Sequence, residues 1–159
     1  MGAINNAFNQ AAGTVAGAAL VIKHAKETEE SKMNTADSTA IVARNQARAA
    51  NDEANAANVE AAKKGGLYEQ LAEAEVNREE ADKAYNKAVK RKNGSYRTRL
   101  QKFTELDAAQ KAVDELNKKY QALENINKRT EEQINYASKA TELAIKAKEK
   151  FEKHWGGTR

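Results

Sequence analysis

Alanine recurs from Ala36 to Ala61 with the alternating four- and three-residue spacing of a heptad: Ala36, Ala40, Ala43, Ala47, Ala50, Ala54, Ala57 and Ala61. These are the a and d positions of a coiled-coil seam, filled with the smallest side chain that still favours helix. A partner helix can approach such a stripe closely, but each alanine withdraws little area from water. At about 25 cal/mol per Å² the seam gives far less than one of leucine, so stability has to come from length and repetition of the contact. The frame extends backwards through Met33, Glu29, Lys26, Ile22, Ala19, Val15, Ala12 and Phe8. One helix from about Ala3 to Lys64 is predicted, either continuous or kinked near residues 31–35, where Asn34-Thr35-Ala36-Asp37 reads as a fresh helix start.

Lys63-Lys64 followed by Gly65-Gly66 is a helix stop, basic in the last turn and then glycine. A second helix is predicted from about Leu67 to Lys92, with Leu67, Leu71, Ala74, Ala81, Tyr85 and Ala88 on one face. Asn93-Gly94 breaks it, and Ser95 can cap a third helix from about Tyr96 to His154. The stripe of that helix is Leu106, Ala109, Val113, Leu116, Tyr120, Leu123, Asn127, Thr130, Ile134, Ala137, Thr141 and Ala144, with Phe103 and Phe151 beyond its ends. The fold class expected is all-α: extended long helices with coiled-coil, alanine-seam packing and an antiparallel helical hairpin over residues 67–154. The third helix is much longer than the second, so part of it needs the first helix or another subunit, and an oligomer is expected.

Composition narrows the classes. The chain has no proline, 6% aromatic residues and 31% charged residues, the profile of long helices rather than of a globular core. Absence of cysteine excludes disulfides, thiolate metal sites and cysteine nucleophiles. The net charge of +4 is unevenly placed: residues 1–64 balance, residues 65–86 carry −4, and residues 87–104 carry +7 with no acid.

The first 22 residues are uncharged and rich in alanine and glycine. They lack the basic start of a secretory signal, and Asn6 stands where myristoylation wants serine or threonine. The apolar run Ala11 to Ile22 is short for a transmembrane helix. Gly13 and Gly17 form a Gly-x-x-x-Gly pair suited to close helix packing in protein or lipid. Residues 1–25 are read as a distinct apolar segment in which Phe8, Gly13, Val15, Gly17 and Leu20 are candidates for contact with a membrane or channel wall. Residues 26–64 form the alanine-heptad segment and residues 155–159 a tail.

No catalytic or metal-binding constellation is found. His24 and His154 lie at opposite ends of the chain, and Val21 and Phe151 occupy the positions where a di-iron bundle would place glutamate. An enzyme is therefore not expected, nor a cofactor or a small-molecule substrate. The one cluster of chemical interest is Lys87, Lys90, Arg91, Lys92, Arg97, Arg99 and Lys102 around the Asn93-Gly94-Ser95 turn. Concentrated positive charge at a hairpin tip suits phosphates of DNA or anionic lipid heads, with Tyr96 as a stacking surface. The competing expectation is that the acidic stretch Glu69 to Asp82 neutralises it. Trp155-Gly156-Gly157 contains the Trp-x-Gly of small helical-hairpin secretion substrates, where the motif sits between two helices. Here it follows the last predicted helix, and Trp155 is expected to anchor the chain end against a partner surface.

The uncharged Gly/Ala-rich segment Met1 to Ile22, running into the Ala/Asn/Gln-rich helix Ala36 to Lys64, resembles the internal virion proteins of bacteriophages: the ejection or inner-core proteins of short-tailed phages and the DNA-pilot proteins of microviruses. The resemblance covers the first 64 residues and transfers no individual residue. It implies a structural or cargo protein, packaged inside the capsid or in the portal or tail region. Such a protein is released with the genome and assembles with itself and other virion proteins into helical tubes that reach the host envelope. The alternatives are a coiled-coil connector or filament subunit without a membrane step, a secreted helical effector or translocator, and a nucleic-acid-compacting protein.

Overall fold

A computed structural model describes the backbone of residues 2–156 and the side chains of residues 17–156. Every regular element among the described residues is helical: α1 (Gly2–Ala62), α2 (Leu67–Lys90), α3 (Tyr96–Phe151) and a closing π-helical turn (Glu152–Gly156). Helix α1 runs through residues 31–35 without a break, so the cap-like Asn34-Thr35 is absorbed into it. Nothing at these positions obstructs the i to i−4 ladder. The helix ends fall slightly inside those expected, at Ala62 rather than Lys64, Lys90 rather than Lys92 and Phe151 rather than His154.

The α1–α2 turn is built on its two glycines. Gly65 has φ +75°, the left-handed conformation that glycine alone adopts without strain. A Cβ on Gly66 would lie 2.6–2.7 Å from the carbonyl oxygens of Glu60, Ala61 and Lys63, so the chain can close the turn only with glycine there. The turn's backbone is satisfied locally: Gly65 N–H donates to Glu69 Oε2 at 2.9 Å, and Gln70 Nε2 donates to the Gly65 carbonyl at 2.7 Å. At the start of α3, Thr98 N–H donates to Ser95 Oγ at 3.1 Å, the serine cap that the sequence spacing suggests.

The chain divides into two compact units, to each of which α1 and α3 contribute a stretch. The terminal unit comprises residues up to Arg48 and from Gln133 onward. Its core consists of Ala40, Ala43 and Ala47 of α1 against Ala137, Ala140 and Ala144 of α3, with Ala36 packed at its edge. The first half of the alanine seam is thus covered by the chain's own third helix. Of the two coverings expected for this end of α3, the first helix or another subunit, α1 occupies the place.

The middle unit, Ala49–Glu132, packs the rest of α1 and the first part of α3 with α2. Here Ala54, Ala61, Ala74, Ala88, Val113, Leu123 and Thr130 are buried. The rings of Tyr68 and Tyr120 meet edge-on at 6.2 Å, and those of Tyr85 and Phe103 at 5.8 Å. Polar groups on the packed face pair with one another. Asn58 Nδ2 donates to Asn127 Oδ1 at 2.7 Å and to the Ala54 carbonyl at 2.7 Å, while Asn127 Nδ2 donates back to Asn58 Oδ1 at 3.3 Å. The Thr130 hydroxyl donates to the Ile126 carbonyl at 2.8 Å and lies 3.3 Å from that of Ala50.

Candidate functional site

Of the eight seam alanines, Ala40, Ala43, Ala47, Ala54 and Ala61 are buried, and Ala36, Ala50 and Ala57 are half-buried. The predicted face of α2 is buried or half-buried throughout. On α3 the expected stripe is covered except for Ile134, which stays 44% exposed, while Ala140 beside it is buried. The stripe resumes directly beyond it with Ala137, Thr141 and Ala144, which are buried or half-buried, so the departure is confined to Ile134.

Phe8, Gly13 and Val15 lie outside the residues whose side chains are described. Leu20 is 67% exposed, as are Val21 and Ile22 to similar degrees, and a Cβ on Gly17 would meet nothing within 4 Å. Gly17 therefore has no close helix neighbour among the described residues. None of the helices, among the described residues, is long and apolar enough to cross a membrane.

Also in the terminal unit, the π-helical turn that continues α3 lies against α1. Trp155 Nε1 donates to Glu29 Oε2 at 2.7 Å, His154 Nδ1 lies 3.2 Å from both Glu29 carboxylate oxygens, and Lys150 Nζ is 3.9 Å from Oε1. Trp155 thus anchors on this chain's own first helix, in place of the partner surface expected for it. Glu29 occupies a seam position, where a carboxylate facing an alanine would be costly; the indole and imidazole give it partners instead. The Trp155 indole N–H holds the Glu29 carboxyl below the ordinary glutamate range. Partial burial opposes this, and His154 and Lys150 add to it.

The basic cluster is brought together by the short α2–α3 connection. Lys87 and Lys90 occupy the last turn of α2, Arg91 and Lys92 the turn itself, and Arg97, Arg99 and Lys102 the start of α3. A concavity of about 630 Å³ opens here, lined by Lys87, Arg91, Lys92 and Lys102 together with Asn93, Ser95 and Thr98. Of the seven predicted cations, Lys102 alone forms an ion pair among the described residues, with Glu105 at 3.2 Å. The acids from Glu69 to Asp82 make no ion pair with the cluster among the described residues; Glu79 pairs with Lys83 instead. The reason is helical spacing: α2 places these acids one or more turns before the tip, within reach of each other's neighbours rather than of the turn.

Among the described residues there is no group of three histidine, aspartate or glutamate side chains placed to hold a metal ion. Two cross-helix contacts escaped the sequence reading. Asn58, which meets Asn127, sits beside the seam position Ala57 and reads as a solvent residue; Glu29 reads as a flaw in the seam. In both cases the partner lies far away in sequence, 69 residues for Asn58 and 125–126 for Glu29. No protein-family model, curated protein or solved structure matches the chain.

Proposed function

We propose that the protein is a non-enzymatic structural or cargo component of a bacteriophage particle that serves genome delivery through a helical assembly. The observation that carries this reading is the inverted apolarity of the terminal unit. Among the described residues its buried cluster is alanine alone, whereas the larger Ile41, Val42, Leu143 and Ile145 stand 44–63% exposed on the same two helices. A globular core buries its largest aliphatic side chains first. A rod that holds itself together by close backbone approach and offers its larger side chains to neighbouring rods has this arrangement. The uncharged start of α1 leads directly into that rod, which suits a segment that meets a channel wall or bilayer.

Purified particles that encode the chain, analysed by quantitative mass spectrometry before and after genome ejection, test the proposal. The chain is expected in intact particles and depleted from ejected ones. Full-length protein should also release dye from liposomes, and a variant lacking residues 1–25 should not. Absence from intact particles would remove the virion assignment. A second reading is a connector or filament subunit with no membrane step, favoured by the coverage of the alanine seam within the chain itself. It is chosen if the copy number is fixed and unchanged by ejection and no dye is released.

A further inference from the structure

We propose that the α2–α3 turn is a sequence-independent binding surface for the phosphate backbone of nucleic acid. The proposal stands on charge and geometry alone and is independent of the particle reading. Between Lys83 and Thr104 the chain carries eight cations and no acid. Lys83 and Lys102 are taken up by Glu79 and Glu105. The remaining six are exposed, and none forms an ion pair among the described residues. An exposed concentration of like charge held on two helix ends repels itself, and a polyanion that brings phosphates to it releases its own counterions on binding.

The arrangement of the cations selects the partner. Lys83, Lys87 and Lys90 follow one face of α2, whereas Arg97 and Arg99 project about 200° apart around α3. Besides the concavity already described, a second of about 560 Å³ is lined by Lys83, Asn86, Lys87, Lys90 and Arg91, so Lys87 and Arg91 border both. A flat anionic bilayer reaches the cations on one side of such a tip. A flexible chain of phosphates can pass from one concavity into the other and engage both sets. Tyr96, 72% exposed beside Arg97, adds a ring on which a base can stack, a contact indifferent to sequence. The Asn93 amide lines the larger concavity and can donate to a phosphate oxygen, as can whichever of the Ser95 and Thr98 hydroxyls, 3.0 Å apart, does not donate to the other.

Fluorescence anisotropy of a labelled mixed-sequence single strand of about 20 nucleotides, titrated with the full chain, tests this. Binding should weaken steeply between about 50 and 200 mM salt, with a log–log slope of about −4 if six phosphates are neutralised. Lys90→Glu with Arg91→Glu should weaken binding at low salt at least about tenfold and flatten the slope by about 1.4, two single-strand phosphate contacts. Lys128→Glu with Arg129→Glu makes the same charge change on exposed residues of α3 and should leave affinity within about twofold, as only the non-specific field changes. Circular dichroism checks the helix content of each variant. Should the turn variant lose it, Arg97→Gln with Arg99→Gln carries the same expectation. Absence of oligonucleotide binding overturns the proposal, as does equal loss in both double variants. Retention on phosphatidylserine vesicles without oligonucleotide binding also overturns it and assigns the turn to a lipid surface.

Discussion

The terminal and middle units use the same two long helices to opposite effect. In the terminal unit six alanines form the buried cluster among the described residues, and the helices are held there by closeness of approach rather than by volume. In the middle unit, α2 joins the packing, the interior gains Val113 and Leu123, and two aromatic pairs and the half-buried Asn58–Asn127 amide pair flank it. A seam of identical small side chains specifies spacing but tolerates sliding by a heptad, because each register presents the same surface. A mixed interior flanked by one reciprocal amide pair does not, since a slip leaves two half-buried amides without partners. In the middle unit the amide pair thus fixes the register of its own stretches of α1 and α3, whereas in the terminal unit the alanine cluster has little register information and the Glu29–Trp155 contact supplies it.

The comparison can be broken most sharply at Leu123, 6% exposed and the largest aliphatic side chain buried in the middle unit. Leu123→Ala removes area that alanine neighbours cannot refill, and a loss of about 2–4 kcal/mol is expected by urea denaturation of the full chain. A loss below about 0.5 kcal/mol, the range of surface substitutions, would place the stability of this unit elsewhere.

In the terminal unit the damaging change is the reverse one. Ala43 is 2% exposed, and nothing in an alanine cluster can yield to a larger side chain except the distance between the helices. Ala43→Leu should cost about 1–3 kcal/mol although it raises apolarity at a helical position. The same substitution at a loosely packed coiled-coil position would be neutral or stabilising. A raised melting temperature for Ala43→Leu would therefore mean that the helices are not in close approach there.

The two units also differ in how far the amino-acid sequence discloses them. The alanine heptad, the Gly65-Gly66 stop and the Ser95 cap are local signals, each read within one or two helical turns, and they give the helices and the faces that pack. The sense of the packing is not local. The alanine stripe is equally suited to a second copy of the chain and to α3, since a row of methyl groups does not name its partner. Long-range pairings such as that of Asn58 with Asn127, across 69 residues, do so, and a lone asparagine on a polar-rich helix carries no sign of it. The basic turn was legible as a cluster because its members are close in sequence. That its charges are left unpaired was not, because this depends on where the side chains of Glu79 and Glu105 turn.

The smallest effect falls where the terminal unit departs from its own pattern, at Glu29. Its carboxyl is held below the ordinary glutamate value chiefly by the Trp155 indole N–H. A carboxylate whose folded pKa is lowered stabilises the folded state above the unfolded value of about 4.3 and loses that contribution as pH falls through the lowered folded value. Acidification below about pH 4 should thus release the C-terminal turn while the alanine cluster, which contains no titrating group, keeps its helices. Trp155 is the only tryptophan in the chain, so its fluorescence reports this contact directly. A red shift is expected on acidification, ahead of any loss of helical circular dichroism. In Glu29→Gln the amide oxygen still accepts the indole N–H but no longer titrates, and the shift should vanish. A red shift that persists unchanged in Glu29→Gln would show that the tryptophan reports some other protonation, and that the terminal unit is closed by its alanines alone.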